Sequence, residues 1–250
     1  MGSEVVLSAR MEALARMVSK GSRVCDVGCD HGWVSIYLVQ QGISPCALAM
    51  DVRQGPLSQA QEHIRQQGLE AYIETRLSDG VAALKTGEAD AVICAGMGGR
   101  LMQRILEEGR DKLTVMRELI LQPQSEITAF RAYLRRAGYA TVAEDMVYED
   151  GKYYPMMRVV PGEMPAQGEA LIGDADRQEL EDCFGGMLLN GRHPVLKQYL
   201  LAALENNKQI LKQLRQNAAD SGRTAGRIRE LKEEQRLISL ALTQFGIDTE

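Results

Sequence analysis

Between residues 23 and 160 the apolar positions gather into short runs, separated by polar helix-forming stretches that tend to end at glycine. Residues 23–27 read as a strand running into a loop, and residues 33–41 as a helix closed by Gly42. Residues 46–50 form a second strand that stops at Asp51. Pro56 suits the first turn of the next helix, where an N–H has no intrahelical partner, and Gly68 ends that helix after Gln67. Residues 72–77 and 91–95 are the third and fourth strands, the latter leading through Gly96-Met97-Gly98-Gly99 into a helix that reaches Gly109. Residues 118–122 are strand five, stopped by Pro123, and residues 125–137 are helical up to Gly138. The last two runs, 139–148 and 153–160, flank Glu149-Asp150-Gly151-Lys152, where Asp-Gly marks a tight hairpin.

Strands alternating with helices imply an α/β fold, a mostly parallel sheet with helices on both faces, here finished by an antiparallel hairpin. Residues 161–173 carry several Gly and Pro breaks and read as a linker. Beyond it the pattern changes to a helical seam. Leu196, Leu200, Ala203, Asn207, Ile210 and Leu214 alternate spacings of four and three, as do Ile228, Leu231, Gln235, Ile238 and Leu242 after Gly222. A 3.5-residue seam on each of two helices predicts an antiparallel coiled-coil hairpin. The expected organisation is therefore a domain over 1–160 and a helical domain over 174–250.

Composition narrows the picture. The chain has 250 residues, 45% hydrophobic and 25% charged, with a net charge of −5. This excludes a disordered polyanion or a histone-like polycation, and a nucleic-acid substrate would need a local basic patch. The five cysteines include no CxxC pair, and with three histidines they offer no zinc spacing, so reduced thiols and no metal are expected. No apolar run approaches the roughly 20 residues of a membrane span, and the start of the chain lacks a signal-peptide apolar core. The expectation is a cytosolic protein.

The candidate chemistry lies at the strand ends, where α/β sheets bind ligands. The first loop, Asp26-Val27-Gly28-Cys29-Asp30-His31-Gly32, is not the dinucleotide fingerprint GxGxxG, because Asp30 takes the place of its middle glycine. It is nearer the methyltransferase pattern D/E-x-G-x-G-x-G, whose backbone cradles the methionine part of S-adenosylmethionine. Asp51 can accept both ribose hydroxyls, and Asp79-Gly80 follows strand three, where an acid can meet the adenine amino group. Each acid alone could be a cap or turn residue; together they favour a cofactor site, joined by Ala95, Gly96 and Met97. An (N/D)PP(Y/F) motif is absent after strand four, which argues against exocyclic-amine chemistry, and the glycines there are expected to leave room for a planar base. The whole pattern suits a Rossmann-like class I methyltransferase with a seven-stranded sheet.

The sequence resembles the TrmK family, bacterial tRNA (adenine(22)-N1)-methyltransferases, through Leu7-Ser8-Ala9-Arg10, Asp26 to His31, Ala95-Gly96-Met97-Gly98-Gly99, Leu119-Ile120-Leu121-Gln122-Pro123 and Glu149-Asp150-Gly151-Lys152. It departs at Trp33-Val34-Ser35, where the family is nearer Tyr-Leu-Pro, and at Gln124, where Asn is common. The resemblance implies methyl transfer to adenine N1 with S-adenosylmethionine as cofactor and tRNA as partner. The residues expected near the target are Asp30, His31, Met97 and Gln122. Lys208, Lys212, Arg215, Arg223, Arg227 and Arg229 around the hairpin tip, with Arg10 and Lys152, are candidates for tRNA phosphates. A solvated helical face or a homodimer seam are the competing readings of the hairpin. A methyltransferase acting on another RNA, a protein or a small molecule, and an inactive cofactor-binding module, remain as alternatives to the whole.

Overall fold

The computed structural model describes residues 4–162, 174–216 and 222–249. The chain divides into two compact units, Met1–Gly168 and Glu169–Glu250. The first unit opens with α1 (Ala9–Arg16), β1 (Val24–Val27), α2 (Trp33–Gln40), β2 (Ala47–Asp51), α3 (Gln54–Gln67) and β3 (Ile73–Leu77). It continues with β4 (Ala91–Met97), α4 (Gly99–Glu108), the single turn α5 (Arg110–Leu113), β5 (Glu118–Pro123), α6 (Ile127–Arg136), β6 (Tyr139–Glu149) and β7 (Lys152–Pro161). Helix α1 and α5 are additions to the sequence reading. Helix α1 lies in the stretch ahead of the first strand, and its start is set by Ser8, whose side chain accepts from the N–H of Met11.

The seven strands form one sheet in the order β3-β2-β1-β4-β5-β7-β6. Strands β1 to β5 are mutually parallel where they pair, and β7 runs antiparallel between β5 and β6. The hairpin turn is made by Asp150 and Gly151, both at positive φ, 49° and 76°, the conformation that a two-residue Asp-Gly turn requires. Strand order reverses between β1 and β4, so the loops after these strands diverge and leave a crevice at their carboxyl ends.

Both faces of the central strands β1, β2, β4 and β5 are covered, which explains why these strands read as apolar runs without alternation. Cys25, Val27, Leu119 and Leu121 face a core with Met102 and Ile105 of α4 and Phe130 and Leu134 of α6. Val24, Ile93 and Ile120 face the other way, against Leu14 of α1 and Val34 and Leu38 of α2. Ala47, Ala49 and Ile73 pack on Ile36, Leu57, Ala60 and Ile64. Pro56 falls in the first turn of α3, and Gly68 caps that helix in the left-handed region.

The second unit holds α7 (Asp174–Phe184), α8 (Gly186–Asn190), α9 (Pro194–Gln216) and α10 (Gly222–Thr243). The two long helices pack on each other, and with only residues 217–221 between them they run antiparallel. Leu196, Leu200, Leu204, Asn207 and Leu211 are the buried line of α9. The predicted line drifts off it, since Ala203, Ile210 and Leu214 are half-buried. On α10 the predicted Leu231, Ile238 and Leu242 are buried. Most of the predicted 161–173 linker, residues 163–173, lies outside the described residues.

Candidate active site

Four strand ends bring the sequence's candidate residues to the crevice. Asp26 sits within β1 and Asp51 ends β2, each with 5% of its surface exposed. Ser35 Oγ donates to Asp26 Oδ2 at 2.8 Å. Burial pushes the Asp26 carboxyl up to about 6; the hydroxyl of Ser35 opposes that shift, and the nearby Asp51 adds to it. Asp51 accepts from the N–H of Arg53 at 2.8 Å and more weakly from the N–H of Asp30 at 3.3 Å. Its oxygens therefore retain acceptor capacity for a diol.

The loop between β1 and α2 is shaped by backbone that side chains resist. Gly28, Asp30 and Gly32 have φ of 72°, 51° and 75°. The N–H groups of Gly28 and Cys29 both donate to Met50 O, at 2.8 and 2.9 Å, which ties the loop to β2. A Cβ on Gly28 would lie 2.2 Å from Met97 Cε, and one on Gly32 would lie 3.1 Å from Ala60 Cβ. The glycines are thus required by left-handed geometry and close approach together. Asp30 occupies its left-handed position at a cost that asparagine and aspartate bear best.

The half-exposed imidazole of His31 has Nε2 3.5 Å from Asp30 Oδ2. His63 of α3 reaches the carbonyl of His31 at 3.0 Å and stacks on Trp33 with ring centroids 4.1 Å apart. The loop also borders a cavity of about 550 Å³, whose walls include Val5, Leu7, Arg10, Asp30, His31 and Trp33. Trp33 and His63 were not singled out from the sequence as site residues, since a stacked pair 30 positions apart leaves no local pattern.

At the far side of the crevice, β4 bulges between Ala95 and Met97, with Gly96 at φ 77°. Gln122 is 1% exposed. Its Oε1 accepts from Arg10 Nη1 at 2.8 Å and from the N–H of Gly96 at 3.3 Å, and its Nε2 donates to the Pro123 carbonyl. Arg10 lies over the Tyr154 ring at 4.9 Å and beside Glu149. This partly buried guanidinium braces α1 against β5 and the hairpin instead of standing free on the surface. The glycine run after β4 also needs a correction. A Cβ on Gly98 would meet Ser125 Oγ at 2.9 Å, and one on Gly99 would meet Ser125 O at 2.7 Å. These two glycines let α4 approach the β5–α6 loop; the space they leave is filled by protein, not kept for a base.

Asp79 follows β3, but Arg104 of α4 grips its carboxylate at 3.2 and 3.0 Å. An adenine amino group there would share the acid with a guanidinium. Gly80, at φ 54°, packs against Ile105. Among the tRNA candidates, Lys152 is exposed at the hairpin turn, and Lys208, Lys212 and Arg229 are exposed on α9 and α10. Arg227 is paired with Glu230 at 2.9 Å and lies 3.9 Å from Glu234. The side chains of Arg215 and Arg223 lie outside the described residues. Among the described residues no group of His, Cys, Asp or Glu could hold a metal ion, and no helix is long and apolar enough to cross a membrane.

The sheet order, the glycine-shaped loop after β1 and the acid ending β2 define a class I methyltransferase domain, and a methyltransferase-domain family model matches residues 7–157. The chain is also similar to the tRNA (adenine(22)-N(1))-methyltransferase of Bacillus subtilis (strain 168), at 31% identity over 94% of this chain and 97% of that protein. The chain belongs to the tRNA (adenine(22)-N1)-methyltransferase family. Two solved structures agree with this. The Bacillus subtilis m1A22 tRNA methyltransferase TrmK superposes with a TM-score of 0.80 at 30% identity, covering 95% of this chain and 99% of that one. A Streptococcus pneumoniae putative tRNA (m1A22) methyltransferase in complex with S-adenosyl-L-methionine gives 0.79 at 32% identity, covering 95% and 100%.

Proposed function

We propose that this protein transfers a methyl group from S-adenosylmethionine to N1 of adenine 22 in tRNA. The observation that carries the reading is the end of β4 beside Gln122. An exocyclic amine needs an acceptor there, yet residues 95–99 offer no polar side chain and the Gln122 carbonyl already holds two donors. A ring nitrogen with a free lone pair needs no such acceptor and no general base at the moment of attack. Positioning and the electrostatics of the closed site then carry the catalysis.

The residues present fit the cofactor. S-adenosylmethionine, when bound, supplies an electrophilic methyl group. Asp51 would take the ribose hydroxyls, the Gly28–Gly32 loop and Asp26 would hold the methionine end, and Gly80 and Asp79, shared with Arg104, would border the adenine. Ala95, Gly96 and Met97 would line the reacting end, with Asp30 and His31 opposite. Gln122 acts as a brace: through Arg10 on one side and the Gly96 N–H on the other, it fixes the bulge against which the base must sit. N1 of a paired adenine faces its partner, so the base has to be unpaired or extruded to react.

The helical hairpin is the second tRNA surface in this reading, with Lys208, Lys212, Arg229 and Arg227 meeting phosphates and Lys152 contributing from the catalytic unit. Arg227 must exchange its exposed glutamate partners for phosphate, which is inexpensive because exposed ion pairs contribute little. A homodimer through the hairpin is the competing use of that surface. The cytosol is the compartment that this substrate implies. Incubating the full chain with labelled cofactor and unmodified tRNA, then mapping the methylated nucleoside, tests the reading: 1-methyladenosine is expected, and methyl on an exocyclic amine contradicts it.

A further inference from the structure

Asp26 is a buried acid that pairs with no cation among the described residues. Along β1 the side chains alternate, Cys25 and Val27 to one core and Val24 to the other, which places Asp26 on the side of α2. The α2 N-cap is Gly32, which offers no side-chain cap. Ser35, the third residue of the helix and fully buried, turns its hydroxyl onto Asp26 at 2.8 Å. Asp26 thus lies at the amino end of α2, where the positive end of the helix favours its charged form. The titratable neighbours coupled to it are Asp51 on β2, Cys25 on β1, Cys29 in the loop and Cys94 on β4. All three thiols are held neutral by burial, Cys94 pushed up to about 12. The only other charge in that set is the like charge of Asp51, so among the described residues the arrangement lacks a counter-ion that a cationic ligand could supply.

We propose that Ser35 is a positioning residue which holds the Asp26 carboxylate as counter-charge for the cationic end of the cofactor, so that cofactor binding releases a proton from Asp26 to bulk water and Ser35 sets the pH at which this occurs. The inference rests on the cofactor reading above. It explains why a carboxyl driven toward neutrality by burial occupies the base of a ligand loop: its proton is displaced by the ligand's positive charge. The Ser35 hydroxyl keeps that exchange within reach near neutral pH, because it stabilises the charged form.

The test uses the full chain, S-adenosylhomocysteine as ligand and calorimetry from pH 5 to 8 in two buffers of different ionisation enthalpy. Wild type should bind about tenfold more weakly at pH 5 than at pH 7, with close to one proton released at the acid end, since each pH unit below the carboxyl midpoint costs a factor of ten. Ser35→Ala should shift this profile about one pH unit upward, Ser35→Thr should return it toward wild type, and Asp26→Asn should flatten it. A Ser35→Ala profile superimposed on that of wild type overturns the proposal alone. Absence of binding by wild type at every pH overturns the cofactor reading with it. Should Ser35→Ala fail to fold, carbon-13 titration of the Asp26 carboxyl in wild type decides instead: a midpoint near 6 supports the proposal, and one near 4 overturns it.

Discussion

Gly28→Ala isolates the geometry of the cofactor loop in a single methyl group. Gly28 has φ 72°, a region that costs an L-residue roughly 1–2 kcal/mol. The new Cβ would also lie 2.2 Å from Met97 Cε. That atom ends a flexible side chain, so Met97 can rotate away at about 0.5–1.5 kcal/mol, giving up its 3.6 Å approach to Cys94 Sγ. The total, about 2–3 kcal/mol, should lower the melting midpoint of the catalytic unit by roughly 4–12 °C for a domain of this size. Cofactor affinity should fall as well, because the displaced methionine turns toward the crevice. Thermal unfolding and calorimetry on Gly28→Ala, Met97→Ala and the double variant separate the two contributions. The double variant should recover the steric part, a coupling of about 1 kcal/mol, and keep the backbone part. A Gly28→Ala protein as stable as wild type, or a loss unchanged by Met97→Ala, would refute the close-approach argument.

Asp51→Ala should weaken cofactor binding by about 10- to 150-fold, the loss of a charged acceptor at 1.5–3 kcal/mol, as read by calorimetry. Arg10→Met should leave cofactor affinity within a few-fold and lower the single-turnover rate, because it removes the donor that anchors Gln122 on the side away from the Gly96 N–H but touches neither Asp26 nor Asp51. The raised Asp26 carboxyl, about 6 against an ordinary 3.8, makes its charged form a burden on the fold above pH 6 that is relieved as pH falls toward 4. Asp26→Asn should therefore gain stability relative to wild type at pH 7 to 8 by up to about 3 kcal/mol, and that gain should vanish by pH 4 in denaturant titrations. Replacing Lys208, Lys212 and Arg229 by glutamine should flatten the salt dependence of tRNA binding by about 0.7–0.9 for each phosphate that is no longer neutralised; an unchanged slope with a dissociated dimer would assign the hairpin to self-association.

The element order was legible because the central strands are buried on both faces and α2, α3, α4 and α6 each end within two residues of a glycine. The antiparallel pairing of β6 with β7 follows from the Asp150-Gly151 turn, though no local pattern says which strand of the hairpin meets β5. Asp26, Gly28 and Asp51 could be named from the sequence since a loop and a strand end are contiguous features. Arg10 could be named only as a cation; its neighbours Gln122, Glu149 and Tyr154 lie more than a hundred positions away and meet it through the fold. Ser35 stood out only as a departure from the family's pattern, with its partner nine residues back on a strand. The room assigned to the glycines after β4 is lost at Gly98 and Gly99 for the opposite reason: a short motif shows that backbone approaches something, and at these two positions that something is Ser125, while a Cβ on Gly96 would meet only Gln124 Nε2 at 3.8 Å.

A matched pair of tRNA transcripts tests the choice of nucleotide and atom. One carries adenine at position 22, the other guanine, and both are incubated with enzyme and labelled S-adenosylmethionine before nucleoside mapping. Close to one 1-methyladenosine is expected per adenine-22 transcript and none in its guanine-22 counterpart. Equal incorporation into both, or label at any atom other than adenine N1, would contradict it.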